Sequence, residues 1–445
     1  MNSSLKGMTV ESLPVQVEPA IPSPIEPRTR MRFIWLCRLA ALSVIFLAAL
    51  SGLYTKAAGI DFPQYYLGGK MVADGKWDDL YPVPVASSSE NAGYPEASVM
   101  KPAYARRAVE LGIGDTYRYA QPPPLAAMLS PLAMLPYRSA RIAWLFLMAL
   151  CLWGSCVVSG KIYRAITGRI TRTEGVIIVV SSLLPRVFLS TRLGNISPLV
   201  GFLIATGTYS MLRDEQWRGA LALVGGAVSK YSPLVVLPVA LLRGQLQLFM
   251  RFMVGLLLIA IVTLPLSGIH PFVEFVSSIA PTQGRATFHW TNQTVWGVFS
   301  NFFFNDHLRD GLIRIALILQ VASMVFIVFL LVRQRKRLLR PGPAVAAVLL
   351  LLCWLQIFGP VTWVHNAAYF VPFGGWLWYY SRTPALRGAM IALSALMFTP
   401  WASVRLPGNL NDPLTRFGFV GGMFALAIIA AIVLMRESPP REPAL

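Results

Sequence analysis

The residues of this chain that could do chemistry sit in short polar stretches at the ends of long apolar ones. Asp61, in "GIDFPQYYLGGKMVADGKWDDLYP", comes just after the first apolar run. A carboxylate with mostly apolar neighbours holds its proton more tightly than usual and can take one from a hydroxyl. Asp61 also reads as the N-cap of a short interfacial helix with Pro63 in its first turn, and the two roles are compatible. His365 stands in "GPVTWVHNAAYF", where Pro360 breaks one helix and the next begins. An imidazole there can donate to a phosphate or shuttle a proton near neutral pH; a histidine satisfied at the interface beside Trp363 fits the same residues.

Lys230 is the strongest purely physical signal, because it falls within the apolar stretch "ALALVGGAVSKYSPLVVLPVALLRG". An ammonium in such sequence marks a functional site by default, and a fixed cation suits an anionic phosphate; snorkelling to the headgroups is the alternative. "TFHWTNQTVWGVFSNFF" sets His289, Asn292 and Gln293 among tryptophans. Rings stack on the apolar face of a sugar and amides pair with its hydroxyls, although the mix equally suits an ordinary interface loop. No His or carboxylate pair has metal-ligand spacing, and no phosphate-binding loop or dinucleotide fingerprint occurs. Metal chemistry, nucleotide-driven transport and nucleotide-sugar chemistry are therefore not expected.

The elements that position these residues are membrane helices. The 445 residues are 55% hydrophobic and 13% charged, with a mean hydropathy of +0.57, which describes an all-α polytopic membrane protein rather than a soluble domain. The apolar runs are continuous, not alternating, so a β-barrel is the wrong pattern. The net charge of +19 comes from Lys and Arg clustered in short loops, which reads as topology and attraction to anionic lipid, not as nucleic-acid binding. Cys37, Cys151, Cys156 and Cys353 lie in apolar stretches and read as reduced, structural residues.

Residues 1–32 are rich in Pro, Ser and Glu and read as a disordered cytoplasmic tail, not a cleaved signal. Residues 33–435 form the transmembrane domain and 436–445 a short cytoplasmic tail. Spans are expected near 33–54, 141–160, 176–190, 196–212, 252–269, 311–332, 343–358, 366–380, 386–401 and 416–435. The stretch around Lys230 and Pro233 should split into two short helices meeting on the outer side. "YAQPPPLAAMLSPLAMLP" should lie at the interface instead of spanning. The count is about twelve crossings, with both termini cytoplasmic. Asp61, Lys230, His289, Asn292, Gln293 and His365 then all reach the periplasmic or external face.

With these residues in order along the chain, the sequence resembles glycosyltransferase family 87, the polyprenol-phosphate-mannose-dependent transferases of the membrane-embedded GT-C class. "DFPQYYLGGKMVADGKWDDLY" resembles the family's first external loop, "YAQPPPLAAMLSPLAMLPYRSARIAW" its Tyr-Pro-Pro stretch, and "LGNISPLVGFLI" its Gly-Gln/Asn helix start. "SKYSPLVVLP" is similar to its Lys-x-x-Pro turn, "NQT" to its Asn-Gln-Ser, and "GPVTWVHN" to its Ser-Pro-x-Ser-Trp-x-His. The resemblance implies a GT-C-type helical bundle that transfers a hexose, mannose first, from a polyprenyl-phosphate sugar to a lipid or glycan hydroxyl with inversion. No cofactor is implied, since the lipid-phosphate sugar is a substrate.

The same resemblance makes Asp61 the catalytic base and places His365 near the donor phosphate. Lys230, Asn195, Tyr119 and His289 become donor-phosphate contacts, and Tyr65, Tyr66, Asn292, Gln293 and Trp363 sugar or acceptor contacts. Three positions depart from the pattern: Asn366 replaces a second His or an aromatic residue, Gly359 a Ser, and Asn301 an expected Arg. A lipid-phosphate arabinosyl- or glucosyltransferase fits nearly as well. A transporter or flippase of a lipid-linked sugar is the rival outside the enzymes, and a non-catalytic envelope scaffold the next; clustering of the polar residues on one face and the lack of a visible inverted repeat weigh against transport.

Overall fold

The computed structural model describes residues 27–53, 61–81, 83–84, 98–113, 119–279, 294–295, 306–359, 362, 364–381, 388, 391–394, 397 and 411–436. They are helical apart from loops and one two-residue antiparallel ladder, β1 (Val83–Pro84) with β2 (Ser98–Val99). Helices are what continuous apolar sequence must form in lipid, because every backbone N–H and C=O then finds its partner within the segment. Among the described residues, six helices are long and apolar enough to cross a membrane. In chain order, the first two are α1 (Pro27–Leu53) and, beyond three shorter helices, α5 (Tyr137–Thr167).

The other crossing helices run through Leu246–Ser267, Arg314–Arg333, Pro341–Phe358 and Gly418–Met435. Their burial sorts them into layers. In Pro341–Phe358, 78% of the apolar window is buried, whereas Leu246–Ser267 buries only 17% and Arg314–Arg333 only 22%, so the first is central and the other two are peripheral. α1 shows the same division on its own surface: Ile34, Cys37, Ala41, Ile45 and Ala49 turn inward at three- and four-residue spacing while Trp35, Leu36, Leu39 and Leu47 face out.

Shorter helices pack between and beside the crossing ones. They are α2 (Phe62–Ala73), α3 (Pro102–Glu110) and α4 (Pro123–Ala133), then α6 (Arg172–Ser182), α7 (Pro185–Arg192), α8 (Ser197–Arg213) and α9 (Gln216–Ser229). α10 (Val236–Leu242) follows a one-turn 3-10 segment, Ser232–Val235. The chain therefore breaks at Lys230, which is extended, as its charge and Pro233 dictate.

Two expected spans are corrected. The stretch 176–190 is not one helix, because α6 ends at Ser182 and Pro185 starts α7; Pro185 has no N–H to continue the ladder. The stretch 366–380 is a 3-10 segment, Val364–Phe373, leading into a short α-helix, Gly374–Tyr380. The first crossing helix also begins at Pro27, inside the expected tail. The expected span 386–401 lies largely outside the described residues.

α2 and α4 pack along each other and against the start of α5, where Phe62 and Tyr65 meet Trp144 with ring centroids 5.9 and 5.3 Å apart. The 3-10 segment Val364–Phe373 lies on α8 at its tightest point, where a Cβ on Gly201 would stand 2.6 Å from the Ala368 carbonyl oxygen. These two contacts carry Asp61 and His365, respectively, to the same end of the bundle.

Candidate active site

Asp61 occupies the N-cap position of α2 with Pro63 in the first turn, but its carboxylate caps nothing. Oδ2 instead accepts a hydrogen bond from Nδ2 of Asn195 at 2.9 Å, and the Asp61 N–H donates to the Leu193 carbonyl at 3.0 Å. The turn that supplies both partners is held in place. Gly194 has φ +68°, a left-handed conformation glycine adopts without strain, and its carbonyl accepts from Nε1 of Trp144 at 2.7 Å.

Asn195 is in turn oriented by Ser197, whose N–H and hydroxyl both donate to Oδ1, at 2.9 and 2.7 Å. That leaves the amide no choice but to present NH2 to Asp61. The polar chain continues inward. The Ser197 hydroxyl also lies 3.4 Å from Oδ1 of Asn366, Nδ2 of Asn366 donates to Oε1 of Gln356 at 2.9 Å, and the Thr362 hydroxyl donates to the Gln356 carbonyl at 2.7 Å. Asn195, Ser197, Gln356, Thr362 and Asn366 are all buried. A buried polar network of this kind rigidifies when its members are satisfied.

His365 precedes Asn366 directly, so the network that ends on Asp61 also fixes the backbone that carries the imidazole. The Ser190 hydroxyl, from α7, donates to the His365 carbonyl at 2.7 Å. Lys230 is the electrostatic link between the two groups, since its charge acts on both Asp61 and His365. Its ammonium lies 6.0 Å from the centre of the Tyr369 ring.

Burial raises the proton affinity of Asp61 above that of an ordinary carboxylate, and the Asn195 hydrogen bond and the Lys230 charge partly offset the rise. Burial and then the Lys230 charge hold the His365 imidazole well below its usual range, so it is neutral at neutral pH. The arrangement thus offers a half-buried base, a neutral imidazole and a fixed cation at one end of the bundle.

The remaining expected residues fall into two groups. Tyr65, Tyr66 and Tyr119 are all buried. The backbone of Ile196 hydrogen-bonds the Tyr65 hydroxyl, which feels the charge of Asp61. Tyr66 donates to the Leu135 carbonyl at 2.9 Å and Tyr119 to the Pro122 carbonyl at 3.1 Å. The Tyr119 ring covers Gly68 so closely that a Cβ there would stand 2.5 Å from it. Tyr66 and Tyr119 therefore pack α2 against its neighbours rather than line an open surface. His289, Asn292, Gln293 and Trp363 lie outside the described residues.

Sequence reading passed over Ser197, Gln356, Thr362 and Tyr369. One signal was available for Gln356, a lone amide in the otherwise apolar "VLLLLCWLQIF".

A helical membrane bundle with a hydrogen-bonded carboxylate, a cation and an imidazole gathered at one end fits a membrane transferase. The sequence model of glycosyltransferase family 87 matches residues 119–357, more than half of the chain, and the chain belongs to that family. It is a membrane glycosyltransferase. Asn195, Lys230 and Gln356 lie within the matched segment, and Asp61 and His365 flank it. No curated protein matches the chain.

Proposed function

We propose that the protein transfers a hexose, mannose first among the candidates, from a polyprenyl-phosphate sugar to a hydroxyl of a lipid or glycan acceptor, at the outer face of a bacterial cytoplasmic membrane. The observation that carries this reading is the half-buried Asp61 carboxylate, proton-avid and held by Asn195, under the charge of Lys230. The acceptor O–H attacks the anomeric carbon and Asp61 takes its proton. The bond from that carbon to the phosphate oxygen breaks, its electron pair stays on the phosphate, and the anomeric configuration inverts. Lys230 stabilises the charge that develops on the leaving phosphate, and the neutral His365 imidazole hydrogen-bonds it.

This chemistry needs no nucleotide and no metal, because the lipid phosphate is itself the leaving group. It also accounts for the position of Asp61, since the reactive carbon of a lipid-linked sugar travels at headgroup level. The test offers purified protein in lipid the polyprenyl phosphates of mannose, glucose and arabinose in parallel, with a mixed glycolipid acceptor. Transfer from the mannosyl donor with inversion supports the reading; transfer from another donor alone, or retention, overturns its sugar or its stereochemistry.

A further inference from the structure

The opposite end of the bundle holds a second concentration of charge. Glu174 of α6 is fully buried and receives Arg164 of α5 in a two-point grip, Nε at 2.7 Å and Nη2 at 2.8 Å, with Nη2 of Arg38 from α1 at 3.5 Å. One carboxylate therefore lies between two guanidiniums. Lys161, one turn before Arg164, has no ion-pair partner among the described residues; its ammonium lies 5.7 Å from the centre of the Tyr209 ring of α8. The charges of Arg218, Arg38 and Arg164 all act on it, opposed by that of Glu174 alone. Arg218 of α9 is paired with Glu215 at 3.2 Å, so among the described residues these four cations pair with only two carboxylates.

A half-buried ammonium crowded by like charges is costly unless an anion answers it. Nε of Arg38 is also buried with no hydrogen-bond partner among the described residues. The setting says which anion is at hand. Trp35 and Trp217 are exposed at this end, each with an arginine over its ring, Arg38 at 4.8 Å and Arg251 at 4.9 Å. Exposed tryptophans of this kind mark headgroup depth. Lys161 lies roughly 25 Å along α5 from Trp144, which packs beside Asp61, so the cluster belongs to the other leaflet.

We infer that Lys161, Arg38 and Arg164, with Arg218 at the rim, form a site for the phosphate of an anionic phospholipid in the leaflet opposite the Asp61 site. The ligand is a lipid and not a soluble phosphate because the cations lie among membrane-facing helices, and the uncompensated positive charge selects an anionic headgroup over a zwitterionic one.

Full-length protein in mild detergent is titrated with phosphatidylglycerol, phosphatidylcholine and inorganic phosphate, and bound lipid is read by native mass spectrometry. Phosphatidylglycerol should bind in preference, Lys161→Met should weaken it by about fivefold, and Lys161→Arg should restore it. If Lys161→Met does not fold, Arg218→Gln, at an exposed position, carries the same readout. Equal phosphatidylglycerol binding by the wild type and the charge-removing variant overturns the site. Equal binding of both lipids, or displacement of the lipid by inorganic phosphate at the same concentration, overturns the assignment to an anionic lipid.

Discussion

Nδ2 of Asn195 donates to Oδ2 of Asp61 across 2.9 Å and 134 residues of sequence. This contact joins the turn before α8 to the start of α2, and it favours the ionised form of the proposed base against the effect of burial. A hydrogen bond to the ionised form favours ionisation, so Asn195 and Lys230 together hold in check the rise that burial imposes.

Replacing Asn195 with leucine keeps the branched shape and removes that donor. Asp61 then holds its proton more tightly, and the acid limb of kcat/KM, which reports deprotonation of the base, should move up by about one pH unit. A pH–rate profile of the variant that overlays the wild type contradicts the pairing.

Lys230→Met acts on two groups in the same direction. The cation favours ionised Asp61 and disfavours protonated His365, so its loss should raise the proton affinity of both. The acid limb shifts upward, and binding of polyprenyl phosphate should weaken by about tenfold or more. The pH profile and an equilibrium binding measurement separate the two effects.

Gly201→Ala tests the packing that carries His365. The new methyl would meet the Ala368 carbonyl oxygen at 2.6 Å, and backbone atoms cannot step aside as a flexible side chain can. A cost of about 1 to 3 kcal/mol is expected, read as a lower temperature of half-inactivation, with activity reduced beyond the loss of folded protein. Unchanged stability and turnover would show that α8 and the 3-10 segment do not meet as described.

Glu174→Gln leaves two guanidiniums against a neutral amide in a buried position. The variant should lose about 3 kcal/mol of stability, measured by thermal unfolding in detergent. Transfer per folded molecule should be unchanged, because this end of the bundle is remote from Asp61.

Some of this was legible in the sequence for plain reasons. Asp61 before Phe62 and Pro63 announces a helix start, and a charge followed by Pro233 announces the break at Lys230. Hydropathy alone misled at 176–190 and 366–380, because Leu183 and Leu184 are as apolar as any spanning residue, and Pro185 and Pro372 were the signals to weigh.

The network from Asp61 through Asn195, Ser197 and Asn366 to Gln356 was not legible, because its links join positions up to 169 residues apart. Asn195 was expected to face the donor phosphate; its bonds to Asp61 and Ser197 are what the sequence did not announce. Asn366, a departure from the family pattern, is in the structure a member of that network. Tyr66 was expected to touch the sugar or acceptor and Tyr119 the donor phosphate; in the structure both are buried, with their hydroxyls donating to backbone carbonyls.

The most direct measurement compares wild type with Asp61→Asn in purified form, reading sugar transfer from polyprenyl-phosphate-mannose and, separately, binding of that donor. The account requires transfer to fall by about a hundredfold or more while donor binding persists, because the amide keeps the shape and cannot take the proton. Equal transfer by the two proteins would remove Asp61 from the mechanism and contradict the account.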